Sequence, residues 1–71
     1  MAAVKSPLEG IVAQLRRQDG ETVVSGENIM DIEAMKMLFE VKAPVGGTLM
    51  LLVALSDYVR KGQAVAEIAE S

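Results

Sequence analysis

The chain repeats itself, and this limits its possible folds more than any other feature. Val4-Lys5-Ser6-Pro7-Leu8-Glu9-Gly10 aligns with Val41-Lys42-Ala43-Pro44-Val45-Gly46-Gly47, an offset of 41 − 4 = 37. Further along, Val23, Gly26, Glu27, Ile29 and Ile32 align with Val59, Gly62, Gln63, Val65 and Ile68, an offset of 59 − 23 = 36. One residue is therefore missing from the second copy between the two blocks. The 71 residues suit one small domain, with copy one over about 4–35 and copy two over about 36–69. Two copies sharing one core predict an approximate two-fold axis.

Each copy reads as short strands broken by turns. A residue before proline is pushed out of the α region, so the segments leading into Pro7 and Pro44 are extended. Gly10 and Gly47 follow those prolines by three and suit a turn or a close strand crossing. Asp19-Gly20 carries a hairpin-type signal, and its counterpart Ser56-Asp57 a weaker one. Gly26-Glu27 and Gly62-Gln63 mark the next turns, ahead of expected strands at Asn28–Glu33 and Ala64–Ala69. No stretch offers a helical stripe of useful length. The pattern indicates an all-β sandwich or barrel. Ile29 and Ile32 are three apart, as are Val65 and Ile68, and this shared break in alternation predicts a bulge or strong twist.

Composition narrows the chemistry. The chain has no cysteine and no histidine. That removes disulfides, thiolate chemistry, the commonest general base and any Ser-His-Asp triad. The net charge is −3 and the only aromatic residues are Phe39 and Tyr58, which argues against nucleic-acid binding. Met1 to Lys5 lacks the apolar core of a signal peptide, and the longest apolar run, Leu49 to Leu55, is too short to span a bilayer. These features suggest a cytoplasmic protein, or a piece of a longer one, without membrane insertion.

The joint between the copies is Glu33-Ala34-Met35-Lys36-Met37. Lys36 lies 36 − 4 = 32 residues after Val4 and 68 − 36 = 32 before Ile68. A tight turn there would push one side chain outward. On its own Lys36 would read as an ordinary solvated lysine, and a methionine as a core gap-filler. Two methionines flanking a polar apex cannot both sit deep in a core.

That joint matches the attachment motif of the biotinyl domain family. Ser6-Pro7-Leu8-Glu9-Gly10, Asp19-Gly20-Glu21, Gly26-Glu27, Ala43-Pro44 and Gly46-Gly47-Thr48 match as well, so the resemblance covers nearly the whole chain. It resembles the biotin carboxyl carrier domains of biotin-dependent carboxylases and decarboxylases. The resemblance implies a flattened β-barrel of two four-stranded antiparallel sheets with internal pseudo-two-fold symmetry. It implies covalent biotin on Lys36, displayed on an exposed hairpin, with both chain ends at the far end. Glu33, Ala34, Met35 and Met37 would contact a biotin protein ligase and the biotin carboxylase and carboxyltransferase partners. Such a carrier is not itself an enzyme: the cofactor holds the reactive chemistry and the protein supplies reach and orientation.

Two rivals stay open, a lipoyl-type swinging-arm domain and an unmodified interaction module. Lipoyl domains share the fold but typically place the lysine in an Asp-Lys-Ala context, whereas Met35 and Met37 flank it here. Pro7 to Gly26 is 19 positions and Pro44 to Gly62 is 18, so the first half has no inserted "thumb" and resembles the thumbless type. Ser56 stands where many relatives have glycine, which predicts a looser second turn.

The copies also differ in polarity. Ile11 to Arg17 has polar residues on one face, whereas Thr48 to Leu55 is apolar on both. An antiparallel strand with one face in water should alternate. The run therefore predicts either coverage inside the domain or an exposed docking strip around Met50 and Leu52, or around Leu51 and Val53.

Overall fold

In the computed structural model, which describes residues 1–71, eight strands form two four-stranded antiparallel sheets. They are β1 (Ala2–Lys5), β2 (Gly10–Leu15), β3 (Thr22–Val23), β4 (Asn28–Ala34), β5 (Met37–Lys42), β6 (Gly47–Leu51), β7 (Tyr58–Val59) and β8 (Ala64–Glu70). One sheet runs β1-β8-β6-β3 and the other β5-β4-β2-β7. No helix is long and apolar enough to cross a membrane.

The two-fold symmetry is written in the hydrogen bonds. Ser6 N–H donates to Gln63 C=O at 2.9 Å and Gly62 N–H to Ser6 C=O at 2.8 Å. Their counterparts are Ala43 N–H to Glu27 C=O at 2.8 Å and Gly26 N–H to Ala43 C=O at 2.7 Å. Between the sheets, Ile29, Ile32, Leu49 and Ile68 are fully buried, with Val12, Val59 and Val65 beside them. The expected bulge occurs in both copies. Asn28 pairs with Lys42 and Met30 with Val41, leaving Ile29 extra. Val4 pairs with Ala66 and Lys5 with Ala64, leaving Val65 extra. Each bulge turns one more apolar residue inward, which explains the broken alternation.

A third irregularity accounts for the missing residue. Val12 pairs with Ile32 and Gln14 with Asp31, so Ala13 has no partner across β4. The matching pairs Leu49–Ile68 and Met50–Glu67 are consecutive. Ala13 is thus the residue by which copy one exceeds copy two, and from Gln14 onward the offset is 36. Gly20 therefore corresponds to Ser56, and Asp19-Gly20 to Leu55-Ser56 rather than Ser56-Asp57.

Asp19-Gly20 does not close a hairpin, because β2 and β3 lie in different sheets. It belongs to one of four equivalent turns. In Gln18–Glu21, Val24–Glu27, Ala54–Asp57 and Arg60–Gln63, the last residue's N–H donates to the first residue's C=O. Its side-chain oxygen in turn accepts from the first residue's N–H, at 2.6, 3.1, 2.8 and 2.9 Å respectively. The third residue has positive φ in each: Gly20, Gly26, Ser56 and Gly62 at 89°, 88°, 74° and 83°. Ser56 keeps the same turn that glycine makes elsewhere, so the expected loosening is not found. Equal loops of six residues join β2 to β3 and β6 to β7, and no thumb is present. Relieving the left-handed backbone should outweigh the entropy glycine adds to the unfolded chain. Ser56→Gly is expected to stabilise the domain by about 0.5–1 kcal/mol, read as a higher urea midpoint.

Where the copies differ, copy one is ionic. Asp31 is buried, accepts from Arg16 Nε at 3.0 Å and Nη2 at 2.6 Å, and takes a further bond from Asn28 Nδ2 at 2.8 Å. Arg17 pairs with Glu27. At the offset of 36, Asp31, Arg16, Asn28, Arg17 and Glu27 correspond to Glu67, Leu52, Ala64, Val53 and Gln63. Burial pushes the Asp31 carboxyl upward, but the bonds from Asn28 and Arg16 outweigh it, and its pKa lies below the ordinary value. A depressed carboxylate contributes stability above its unfolded pKa and loses it as pH falls through the folded pKa. Asp31 should therefore support the fold fully above about pH 4 and progressively less below it. Asp31→Asn should cost about 1–3 kcal/mol at neutral pH, and the gap to the parent chain should narrow in acid, as urea unfolding across pH would show.

The apolar run resolves into two parts. The strand ends at Leu51 rather than continuing to Leu55. Leu49 is buried, Leu51 and Val53 pack against the core, Met50 is half-buried and Leu52 is exposed. The Leu51–Val53 alternative is therefore core.

Candidate functional site

Strands β4 and β5 form the most extensive pairing in the domain, from Asn28–Lys42 to Ala34–Met37. Closing the ladder at Ala34–Met37 leaves a loop of two residues, Met35 and Lys36. Both have positive φ, 53° and 62°. Paired left-handed residues are the type I′ solution, whose twist matches the flanking strands and which usually takes Asn-Gly or Asp-Gly. Here neither residue is glycine or asparagine. The local cost, of order 1–3 kcal/mol for each, is held by the long ladder behind it, and strain of this kind gathers at functional sites. The missing Asn-Gly signal is why the turn type was not visible in the sequence.

The strand directions put this loop at one end of the molecule. β5 leads away from it, and β6 starts at the far end with Gly47 opposite Glu70. Ala2 pairs with Ile68 nearby, so both chain ends lie away from Lys36. The molecule measures 35 × 19 × 19 Å.

The five residues singled out in the sequence stand together here. Met35 is 82% exposed and Met37 60%, so neither fills the core. Lys36 is exposed and takes part in none of the side-chain hydrogen bonds or ion pairs. Ala34 is half-buried opposite Met37. Glu33 is exposed, one row deeper, paired with Leu38 on one side and Ile11 on the other. Beyond Ile11 lies Tyr58, whose hydroxyl donates to the Glu9 carboxylate. That bond, with lesser help from burial, raises the phenol pKa above its ordinary value. No group of His, Cys, Asp or Glu side chains is arranged to hold a metal. What the arrangement offers is a primary amine on a flexible stem, carried on a rigid hairpin into open water.

Lys36 thus stands exposed on the β4–β5 hairpin, inside one of two symmetric four-stranded sheets and at the joint between the two copies. The chain belongs to the biotin/lipoyl attachment family: the model described as "Biotin-requiring enzyme" matches residues 2–68. It is 36% identical over 73 residues to the biotin carboxyl carrier protein of acetyl-CoA carboxylase from Streptococcus pyogenes, covering 92% of this chain and 44% of that one. It is 37% identical over 67 residues to the dihydrolipoyllysine-residue succinyltransferase component of the 2-oxoglutarate dehydrogenase complex from Staphylococcus saprophyticus, covering 93% and 16%. The chain thus spans less than half the length of these relatives. Among solved structures, the Kluyveromyces lactis urea carboxylase matches with a TM-score of 0.87 at 29% identity, over 94% of this chain and 6% of that one. The lipoyl domain of the Azotobacter vinelandii 2-oxoglutarate dehydrogenase complex matches with a TM-score of 0.79 at 28% identity, over 99% and 98%.

Proposed function

We propose that the chain is a biotin carboxyl carrier: biotin is joined by an amide to Lys36 Nζ, and the domain moves a carboxyl group from a biotin carboxylase site to a carboxyltransferase or decarboxylase site. The observation that carries this reading is the Met35-Lys36-Met37 apex on a two-residue left-handed turn, with both methionines in solvent. Lys36 fits the group. Its amine has no competing partner on the chain, and nothing packs over it to restrain a tether. Biotin, when bound, supplies the ureido nitrogen that holds the carboxyl group. The chain's own part is mechanical. The β4–β5 ladder fixes the direction of the tether, and tethering raises the effective concentration at each partner site. Glu33, Ala34, Met35 and Met37 form the surface by which the ligase and the carboxylase partners recognise the apex. All 71 residues work as one carrier unit, with its partners, in the cytoplasm or in an organelle if the chain is part of a longer precursor.

The likeness to a whole lipoyl domain, matched over almost its full length, favours a second reading: lipoate on the same nitrogen. Mass spectrometry distinguishes the two. The chain is offered to a biotin ligase with biotin and ATP, and separately to a lipoate ligase with lipoate and ATP. Modification of Lys36 by the first and not the second supports biotin, the reverse supports lipoate, and neither supports an unmodified interaction module.

A further inference from the structure

Most of the exposed apolar surface in the β5-β4-β2-β7 sheet lies in one row. Tyr58 pairs with Ile11, Ile11 with Glu33, and Glu33 with Leu38, so the row crosses all four strands. At a strand spacing of about 4.8 Å it is roughly 14 Å long. Tyr58, Ile11 and Leu38 are 49%, 40% and 58% exposed. Leu38 is two residues past Lys36 and Glu33 three before it, so the row runs up to the apex. Arg60 lies over the Tyr58 ring, 5.9 Å from its centre, and with Glu9 on the hydroxyl holds the far end of the row in place.

The internal symmetry supplies a control. The equivalent row in the other sheet contains Thr22 paired with Thr48 and Thr48 paired with Ala69. The same backbone position is thus filled by threonine and alanine where no lysine apex adjoins it. The fold therefore does not require Tyr58 and Ile11 to be large and apolar; the counterpart of Leu38 is Met1, which is also apolar and exposed.

We propose that the Tyr58–Ile11–Glu33–Leu38 row is the surface on which a biotin ligase seats while it acylates Lys36, presenting an apolar strip with one cationic side chain opposite Glu33. The proposal rests on the biotin reading above. Three arguments select this occupant. A ligase must bring Nζ itself to bond-forming distance, so it covers the residues around the root of the lysine. A partner that meets only the end of a long tether need not. Glu33 has no cation on its own chain among the ion pairs, and a carboxylate set in an apolar row calls for one from outside. A second copy docking about a two-fold axis over this row would bring Glu33 towards its own equivalent, and like charges would oppose it.

The test is steady-state biotinylation of the full chain by a biotin ligase, comparing the parent with Ile11→Thr/Leu38→Thr, which gives Ile11 the threonine of the symmetric row and removes the apolar side chain of Leu38. The double variant should raise KM for the chain by about tenfold or more, with kcat nearly unchanged and thermal unfolding preserved. Glu33→Lys should also raise KM. Val24→Thr, an exposed apolar position by the turn at the opposite end, should leave both constants unaltered. An unchanged KM in folded Ile11→Thr/Leu38→Thr overturns the assignment, as does an equal loss in Val24→Thr. Sedimentation showing a parent dimer that the double variant dissolves overturns it in favour of self-association. If the double variant does not fold, Glu33→Lys decides alone by the same criterion. A parent chain that takes no biotin removes the biotin reading and this proposal together, whereas a modified parent with indifferent variants removes only the surface.

Discussion

Lys36→Arg is expected to abolish covalent modification by a biotin ligase while leaving the fold intact. Arginine keeps the positive charge and a comparable stem, but its delocalised guanidinium stays protonated and is a poor nucleophile for an activated carboxyl group. The loss should be complete. The parent should gain one biotin and become streptavidin-reactive, and the variant should show neither change in an intact-mass spectrum. Exposure alone does not single out the target, since Lys5, Lys42 and Lys61 are exposed as well. Backbone geometry does: of the four lysines only Lys36 has positive φ, and only it ends a two-residue hairpin. Lys42 Nζ lies 3.8 Å from Glu40, and Lys61 sits within a hydrogen-bonded turn. Biotin on any of these three would overturn the assignment. Because Lys36 is exposed and makes no side-chain hydrogen bond or ion pair, Lys36→Ala should shift stability by no more than about 0.5 kcal/mol.

Much of this is legible in the sequence. The repeat implies an approximate two-fold axis, the count from Val4 and Ile68 places Lys36 where the two copies meet, and the two four-stranded sheets follow from the family resemblance. The shared three-residue spacing of Ile29–Ile32 and Val65–Ile68 announced both bulges. Gly10 and Gly47 prove to be close crossings, since a Cβ on either would overlap the neighbouring strand at Glu33 or Ala69. What stayed hidden depends on register, which is a property of pairs of strands. Nothing in the chain marks Ala13 as the odd residue until β2 is laid against β4. Asp31 reads as a solvated carboxylate until Arg16 and Asn28 close over it. Ile11, Glu33, Leu38 and Tyr58 are scattered over 48 positions and become a row only when four strands are aligned. The apolar run outlasts β6 for a related reason: Leu51 and Val53 reach the core from either side of the strand end, so apolar character continues after pairing stops.

Ile32→Ala and Ile68→Ala should each cost about 2–5 kcal/mol, the range for emptying a fully buried isoleucine site that cannot collapse. Both side chains have no exposed surface, and the two-fold relates them. Ile32 faces Val12 and Phe39 across its neighbours, and Ile68 faces Leu49 and Ala2. A chain of this length has a total stability of roughly 4–11 kcal/mol, so either change removes a large share of it. Valine at the same positions should cost only about 0.5–1.5 kcal/mol, because one methyl group is lost instead of three carbons. With no tryptophan to report, urea unfolding is followed by far-UV circular dichroism. Costs for Ile32 and Ile68 that agree within about 1 kcal/mol would show that the two copies share one core equally. A near-neutral Ile68→Ala would mean that the β1-β8-β6-β3 sheet is carried by the other half. The contrast with Lys36→Ala separates the two tasks of the repeat: matched isoleucines hold the sheets together, and the single lysine between them is free to be modified without disturbing that core.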